Sequence, residues 1–244
     1  MIRKLFSPRE ATGNGDGTRR DFEIQRIETF SDGVFAFAVT LLIVSLEVPK
    51  SFGELLTSMR GFFAFGISFA LLVSIWAEQH RFFRKYGMED GVTIALNGAL
   101  LFLVLFYTYP LKFLFTLVFK DMIYGAEKSP VSITADQMPL LMMIYALGFI
   151  CIYTLFFLMY FRAFRKSNDL GLTAVENFYC KSGMYRELIM VSTGCCSWII
   201  AFLLRKYNSS YAGFVYFLIG PTMSIFYTFR KRKRKHLLPE CYIK

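Results

Sequence analysis

Charged and hydroxyl side chains gather at the start of the first apolar segment of the chain. Arg26, Glu28, Ser31 and Asp32 stand within one short stretch, and an almost unbroken apolar run follows. An ionised carboxylate at the start of a membrane helix is costly unless it faces a partner, water or the helix's own amides. Ser31 or Asp32 could cap the helix N-terminus. Capping does not explain why Arg26, Glu28 and Asp32 lie so close together, so a polar network is the second interpretation.

Further polar side chains occur near the matching ends of the next two apolar segments. Trp76 and His80 lie near the end of the second segment, and Asn97 lies near the start of the third. These positions share one depth if the helices alternate in direction. Asp32, His80 and Asn97 are therefore predicted to meet in a hydrogen-bonded cluster. The alternatives are an interfacial histidine and an asparagine that bonds only a neighbouring helix.

Helical geometry divides the first segment into faces, because each residue turns the helix by about 100°. A bulky apolar stripe runs along one side and comprises Phe30, Phe37, Leu41 and Val44. A stripe of small residues lies beside it and comprises Gly33, Ala36 and Thr40. Small residues let membrane helices approach closely, so this second stripe is predicted to pack on a neighbouring helix. Asp32 is predicted to point into the rest of the bundle, and Glu47 lies at the outer end. On geometry alone, the bulky stripe faces lipid or core.

The elements that position these residues are six apolar segments, each about long enough to span a bilayer as a helix. They are residues 30–48, 61–79, 92–119, 138–161, 188–204 and 211–229. Apolar residues make up 55% of the chain and charged residues only 19%, which is below the usual quarter for soluble proteins. The predicted fold class is an all-α, polytopic membrane protein with six transmembrane helices. Residues 162–187 are predicted to form the longest loop.

The distribution of positive charge predicts the orientation. Of the 28 Lys and Arg residues, 21 lie in the two terminal tails and in the loops after the second and fourth segments. By the positive-inside rule both termini are cytoplasmic. The predicted organisation is a cytoplasmic N-terminal tail over residues 1–29, a membrane domain over 30–229 and a basic cytoplasmic C-terminal tail over 230–244. The net charge of +10 then needs no nucleic-acid partner. The basic run at 230–235 is interpreted as a topology anchor, with anionic lipid binding as the alternative.

No catalytic constellation is found, and the chain is not expected to be an enzyme or to need a cofactor. The two histidines, His80 and His236, do not suit a zinc hydrolase site. Phosphate-binding, nucleophile-elbow and dinucleotide motifs do not occur.

The polar motif of the first segment resembles a known family signature. Arg26-x-x-x-Phe30-Ser31-Asp32-Gly33 is similar to the signature of the transmembrane protein 175 family. Trp76 with Gln79-His80 is similar to that family's Trp-x-x-His-His, and Asn97 and Pro110 match its third helix. The resemblance is clear over residues 24–112.

This resemblance implies a potassium channel of the six-helix prokaryotic branch, in which the first helices of a homotetramer line the pore. K⁺ is then the permeating ion, and the partners are further copies of the chain and the lipid bilayer of a bacterial plasma membrane. The implied pore constriction comprises Phe37, Leu41 and Val44. Thr40 and Glu47 are the implied ion contacts, through a pore hydroxyl and an outer carboxylate. The implied structural network comprises Arg26, Phe30, Ser31, Asp32, Gly33, Trp76, His80 and Asn97.

Two departures from the family pattern bear on the expected properties. The family usually has a smaller aliphatic residue in place of Phe37, so four rings could narrow or close the pore. Gln79 replaces the first of two histidines, which is expected to weaken the cluster. A secondary transporter that uses Asp32 and His80 as a proton relay is the alternative function. A membrane scaffold that docks partners through its basic tail is a third.

Overall fold

The computed structural model describes residues 26–44, 49–119, 123, 133–134, 136–204 and 211–237. The helices are α1 (Arg26–Val44), α2 (Phe52–Arg60), α3 (Phe62–Tyr86), α4 (Gly91–Val118), α5 (Met138–Arg165), α6 (Ala174–Leu203), α7 (Tyr211–Phe214) and α8 (Ile219–Leu237). A 3₁₀ turn at Val215–Leu218 joins α7 to α8. These described residues contain no strand, so the all-α prediction is confirmed.

Five of the described helical segments are long and apolar enough to cross a membrane. They are α3, α4, α5, α6 and the stretch Tyr211–Lys233. The remaining predicted segment, the first one, corresponds to α1, which begins at Arg26 rather than Phe30. Its predicted end, residues 45–48, lies outside the described part of the chain. The chain is a multi-pass membrane protein, as predicted.

The predicted long loop over residues 162–187 is wrong. Helix α5 continues to Arg165 and α6 already begins at Ala174, so only residues 166–173 connect them. Thr173 and Glu176 cap α6 reciprocally: each side chain accepts a hydrogen bond from the other residue's backbone N–H, at 3.2 Å and 2.8 Å. The polar start of α6 is helical because its buried residues, Glu176, Cys180, Gly183 and Glu187, recur every three or four positions.

A tight turn joins α3 to α4. Gly87 ends α3 in the left-handed conformation, with φ of 55°, and its N–H donates to the Phe83 carbonyl at 2.8 Å. Asp90 then caps α4, where its carboxylate accepts from the backbone N–H and the hydroxyl of Thr93. The two helices therefore form an antiparallel hairpin with a capped turn.

Close helix contacts build the core from one side of the chain to the other. α1 packs on α3 and α4, α4 also packs on α5, and α5 pairs along its length with α6. Two glycines permit these close approaches. A Cβ at Gly148 of α5 would lie 2.0 Å from the Tyr107 ring of α4, and a Cβ at Gly194 of α6 would lie 2.7 Å from the Ile150 side chain of α5. Among the residues that the structure describes, the last helix, α8, packs chiefly on α6 and on the 3₁₀ turn before it, so it lies at the far side from α1.

One end of the bundle, called the basic end here, holds the start of α1 and the end of α8. Contacts across it join the end of α3 to the start of α4, the end of α5 to Asp90, and the start of α6 to Arg230. It also carries most of the described Lys and Arg residues, including Arg81, Arg162 and Lys166. This is the end at which the polar motif of α1 lies.

Candidate functional site

A buried chain of hydrogen bonds ties the start of α1 to α3 and α4. The Asn97 side-chain amide donates to the Ser31 hydroxyl at 2.9 Å, and the Gln79 amide donates to the Asn97 oxygen at 3.2 Å. Ser31 in turn donates to the Ile27 carbonyl at 2.7 Å. Ser31, Gln79 and Asn97 are all buried, so these side chains form their hydrogen bonds with protein groups rather than with water. Gln79, expected to weaken the network, is one of its members.

A second contact joins α1 to α3 through Asp32, the residue after Ser31. The Trp76 indole N–H donates to the Asp32 carboxylate at 2.7 Å, and the Trp76 ring stacks on His80 with centroids 5.4 Å apart. Ser31 and Asp32 are consecutive, so their side chains leave the helix about 100° apart. The cluster expected of Asp32, His80 and Asn97 is thus divided in two: Asn97 lies with Ser31, whereas His80 lies with Asp32.

The remaining motif residues lie on the side of α1 that the chain does not cover. Arg26 and Gly33 are exposed, and Phe30 is 64% exposed. A Cβ at Gly33 would meet no atom within 4 Å. Ser31 and Asp32 therefore hold α1 to its own chain, whereas Arg26, Phe30 and Gly33 point away from it.

The same uncovered face continues along α1 and is called the bare face here. Phe37 is 56% exposed and Thr40 is exposed, while Leu41 is half-buried. The opposite side, formed by Phe35, Ala38 and Leu42, is buried against α3 and α4. The small-residue stripe is also bare, so it packs on no described helix of its own chain. Val44 is the last residue of α1, and Glu47 lies outside the described residues.

A lysine contact supports the outer half of α1. The Lys112 ammonium of α4 donates to the Leu42 carbonyl at 3.3 Å. Lysine within a membrane helix is costly and marks a position worth testing. The sequence predicts that Lys112 lies inside a helix, but no sequence pattern indicates that its partner is the Leu42 carbonyl of α1.

A buried ionic cluster joins α3, α5 and α6 and was not predicted. The Glu78 carboxylate accepts hydrogen bonds from the Tyr160 hydroxyl at 2.6 Å, from Arg81 at 2.6 Å and from Arg186. Arg186 also donates to Glu187, at 2.7 Å from its Nε. Glu78, Tyr160 and Glu187 are buried, so this cluster must stay paired to remain ionised in the interior. The adjacent opposite charges of Arg186 and Glu187 were its only sequence signal.

A partly exposed ion pair lies at the α3–α4 turn. Asp90 accepts from the Arg162 Nε at 2.8 Å, and Lys166 lies 3.8 Å away. Partial burial raises the pKa of Asp90, but the hydrogen bonds from Arg162 and Thr93 outweigh it and lower the pKa to about 2. The carboxylate is therefore ionised at physiological pH and joins the turn to the end of α5.

Comparisons with known proteins agree with the motif. Residues 26–107 match the model of the family described as "Endosomal/lysosomal potassium channel TMEM175". A potassium channel from Marivirga tractuosa is 40% identical over 224 residues, which cover 88% of this chain and 91% of that protein. A potassium channel from Chamaesiphon minutus is 38% identical over 96 residues, which cover 36% of this chain and 47% of that protein.

Solved structures resemble the fold over nearly the whole chain. A variant of the potassium channel MtTMEM175, crystallised with a nanobody–MBP fusion, has a TM-score of 0.77 and 37% identity, covering 90% of this chain and 98% of that one. A lysosomal potassium-selective channel TMEM175 homologue from Chamaesiphon minutus has a TM-score of 0.56 and 22% identity, covering 82% and 95%. The second likeness concerns the fold alone. The extent and identity of the match to the Marivirga protein, together with the motif at the start of α1, show that this chain belongs to the TMEM175 family.

Proposed function

We propose that the chain is a potassium channel in which four copies surround a central pore lined by α1. The bare face of α1 carries this proposal. Phe37 and Phe30 are more than half exposed although the other side of the same helix is fully packed. Lipid alone could cover an apolar face, but the exposed hydroxyl residue Thr40 on this side suits it poorly. A ring of identical helices covers such a face in every copy at once.

The bare face supplies an apolar constriction in this arrangement. Phe37, Leu41 and Val44 recur at helical spacing, so in a symmetric ring each forms one layer of side chains. Apolar rings control ion passage through pore width and dewetting. The Thr40 hydroxyl donates its hydrogen to the Ala36 carbonyl at 2.8 Å. The lone pairs of the hydroxyl oxygen are then available to coordinate a partly dehydrated K⁺. Glu47 would concentrate cations at the outer mouth.

The network at the start of α1 holds the lining helix in place. Ser31, Asp32, Trp76, His80 and Asn97 anchor it to α3 and α4, and Arg26, Phe30 and Gly33 are assigned to contacts between copies. The basic end is assigned to the cytoplasm of a bacterial cell, with both termini there and residues 1–29 and 230–244 as its tails. K⁺ is the permeating ion and no cofactor takes part.

The proton-relay alternative has less support in the geometry. The Trp76 indole lies between Asp32 and His80: it hydrogen-bonds the carboxylate and stacks on the imidazole. An indole N–H donates but does not accept, so it passes no proton onward. A saturable flux that requires a counter-ion would nevertheless favour a carrier.

Potassium flux into liposomes that contain the purified protein tests the proposal, with sodium in a parallel set. We expect K⁺ flux well above Na⁺ flux. Leu41→Ala should raise conductance and reduce selectivity because it widens one layer. Ile43→Ala is the matched control, since Ile43 is 51% exposed but leaves the helix about 160° from Leu41. Unchanged currents in Leu41→Ala would remove it from the constriction, and no flux even in Phe37→Ala would refute the channel.

A further inference from the structure

An open groove lies between α6 and α8, at the basic end and on the side of the chain away from α1. It has a volume of about 860 Å³, and its walls include Tyr185, Leu188 and Ile189 of α6 and Phe226 and Phe229 of α8. The span that contains most of α8, Tyr211–Lys233, is loosely packed: only 6% of its apolar stretch is buried, against 22–33% in the other four spans. We call it the α6–α8 groove.

A fixed contact sets the width of the groove at the basic end. The Arg230 guanidinium donates to the Ser182 hydroxyl at 2.8 Å and to the Phe178 carbonyl at 3.1 Å. It also lies over the Phe178 ring, 4.2 Å from the centroid. Arg230 is thereby committed to joining α8 to α6, and the groove is a built feature rather than a gap between unconnected helices.

The groove changes character along its length. The part of the groove farther from the basic end is apolar, because its Ser192 hydroxyl already donates a hydrogen bond to the Leu188 carbonyl of its own helix at 2.7 Å. At the basic end its lining ends in Arg232 and Lys233, three and four residues after Phe229 and therefore on the same face of α8. Both are exposed, and neither forms an ion pair with any residue the structure describes.

We propose that the α6–α8 groove binds one anionic phospholipid, with an acyl chain between the two helices and the phosphate held by Arg232 and Lys233. The apolar wall from Tyr185 to Ser192 extends over about 10 Å of helix, which accommodates part of an acyl chain. Two cationic side chains at the membrane boundary match a negative headgroup and disfavour a purely apolar occupant. With α1 at the centre of the assembly, as in the proposed function, α8 lies at the periphery and the groove opens to lipid.

Native mass spectrometry of the purified full-length protein tests this lipid site without measuring ion flux. A negative result would therefore refute the lipid site and leave the channel proposal unaffected. Phosphatidylglycerol and phosphatidylcholine with the same acyl chains are added at equal concentrations. We expect the anionic lipid to be retained about 25-fold more strongly, because each of two basic side chains near a headgroup contributes a factor of about five. The preference should vanish in Arg232→Gln/Lys233→Gln.

Two further variants separate a site from general attraction to a charged surface. Lys231→Gln removes an adjacent, exposed charge that does not line the groove, so it should retain the lipid. Ser192→Trp fills the apolar part without altering charge, so it should lower the retention of the anionic lipid. Equal retention of the two lipids would overturn the proposal. A loss of lipid retention in Lys231→Gln as large as that in the double variant would also overturn it. Unchanged lipid binding in Ser192→Trp would do the same, because surface electrostatics or contact between copies would then be the remaining explanations.

Discussion

The two arginines that share the Glu78 carboxylate provide a matched test of buried charge. Arg81 and Arg186 both donate to Glu78, but the Arg81 side chain is 64% exposed and that of Arg186 is 17% exposed. Arg186→Met leaves two buried carboxylates, Glu78 and Glu187, with only an exposed arginine beside one of them. Loss of one partner of a buried pair costs about 3–5 kcal/mol. Arg81→Met removes only an exposed partner whose charge is screened by water, while Arg186 and Tyr160 still pair with Glu78, so it should cost less than about 1 kcal/mol.

Thermal unfolding of the purified protein in one detergent, at a fixed scan rate, measures this difference. We expect a large fall in Tm for Arg186→Met and almost none for Arg81→Met. Tyr160→Phe should lie between them, at about 1.5–3 kcal/mol, because it removes a hydroxyl that donates to a charged group. Combined with Glu78→Gln, its effect should be clearly less than additive, since both changes act on one hydrogen bond. Equal losses from the two arginine variants would refute the reasoning that burial sets the strength of this cluster.

Three further changes test the contacts of α1 and the turn between α3 and α4. Asn97→Leu should destabilise the protein by about 1–3 kcal/mol, because it leaves the buried Ser31 hydroxyl without its donor; an unchanged Tm would contradict this. Gly33→Leu should prevent assembly while the single chain still folds, since no atom lies within 4 Å of its Cβ position; Gly98→Leu, equally open in α4, is the control, and light scattering reads the assembly state. Because the folded pKa of Asp90, about 2, lies below its ordinary 3.8, its contribution of about 1–2 kcal/mol is complete above pH 4 and lost as the pH falls towards 2. Asp90→Asn should remove that part of the acid dependence of Tm.

The sequence predicted the bulky stripe of α1, because a stripe follows from local geometry. The small-residue stripe, predicted to pack on a neighbouring helix, packs on none that the structure describes in this chain. Phe30 and Phe37 share one side of a helix at 100° per residue and are both exposed, whereas Phe35 and Leu42 fall on the other side and are buried. The polar motif likewise indicated that the side chains of Ser31 and Asp32 need partners, since polar groups are costly in a membrane, but it predicted a single cluster of Asp32, His80 and Asn97. What the motif did not give was the division of those partners into two sets.

The buried cluster on α3 was beyond sequence reasoning for a different reason. Glu78 meets Tyr160 and Arg186, which are 82 and 108 residues away along the chain, and no local pattern encodes such a pairing. The early start of α6 was missed because hydropathy averages over a segment. Arg186 and Glu187 made this stretch look like a loop, although their charges neutralise each other inside the bundle.

Two anchors on consecutive residues fix the rotational phase of α1 as well as its position. Ser31 is held from α4 and Asp32 from α3, so the helix cannot turn about its own axis without breaking one of them. Each residue beyond Asp32 inherits this phase in steps of about 100°. Inserting one residue between Asp32 and Phe37 would swing the whole outer half of the helix by that angle, while its composition and length stayed almost the same. Which side chains face outwards from the chain is thus decided at the basic end, before the first residue of the proposed constriction is reached.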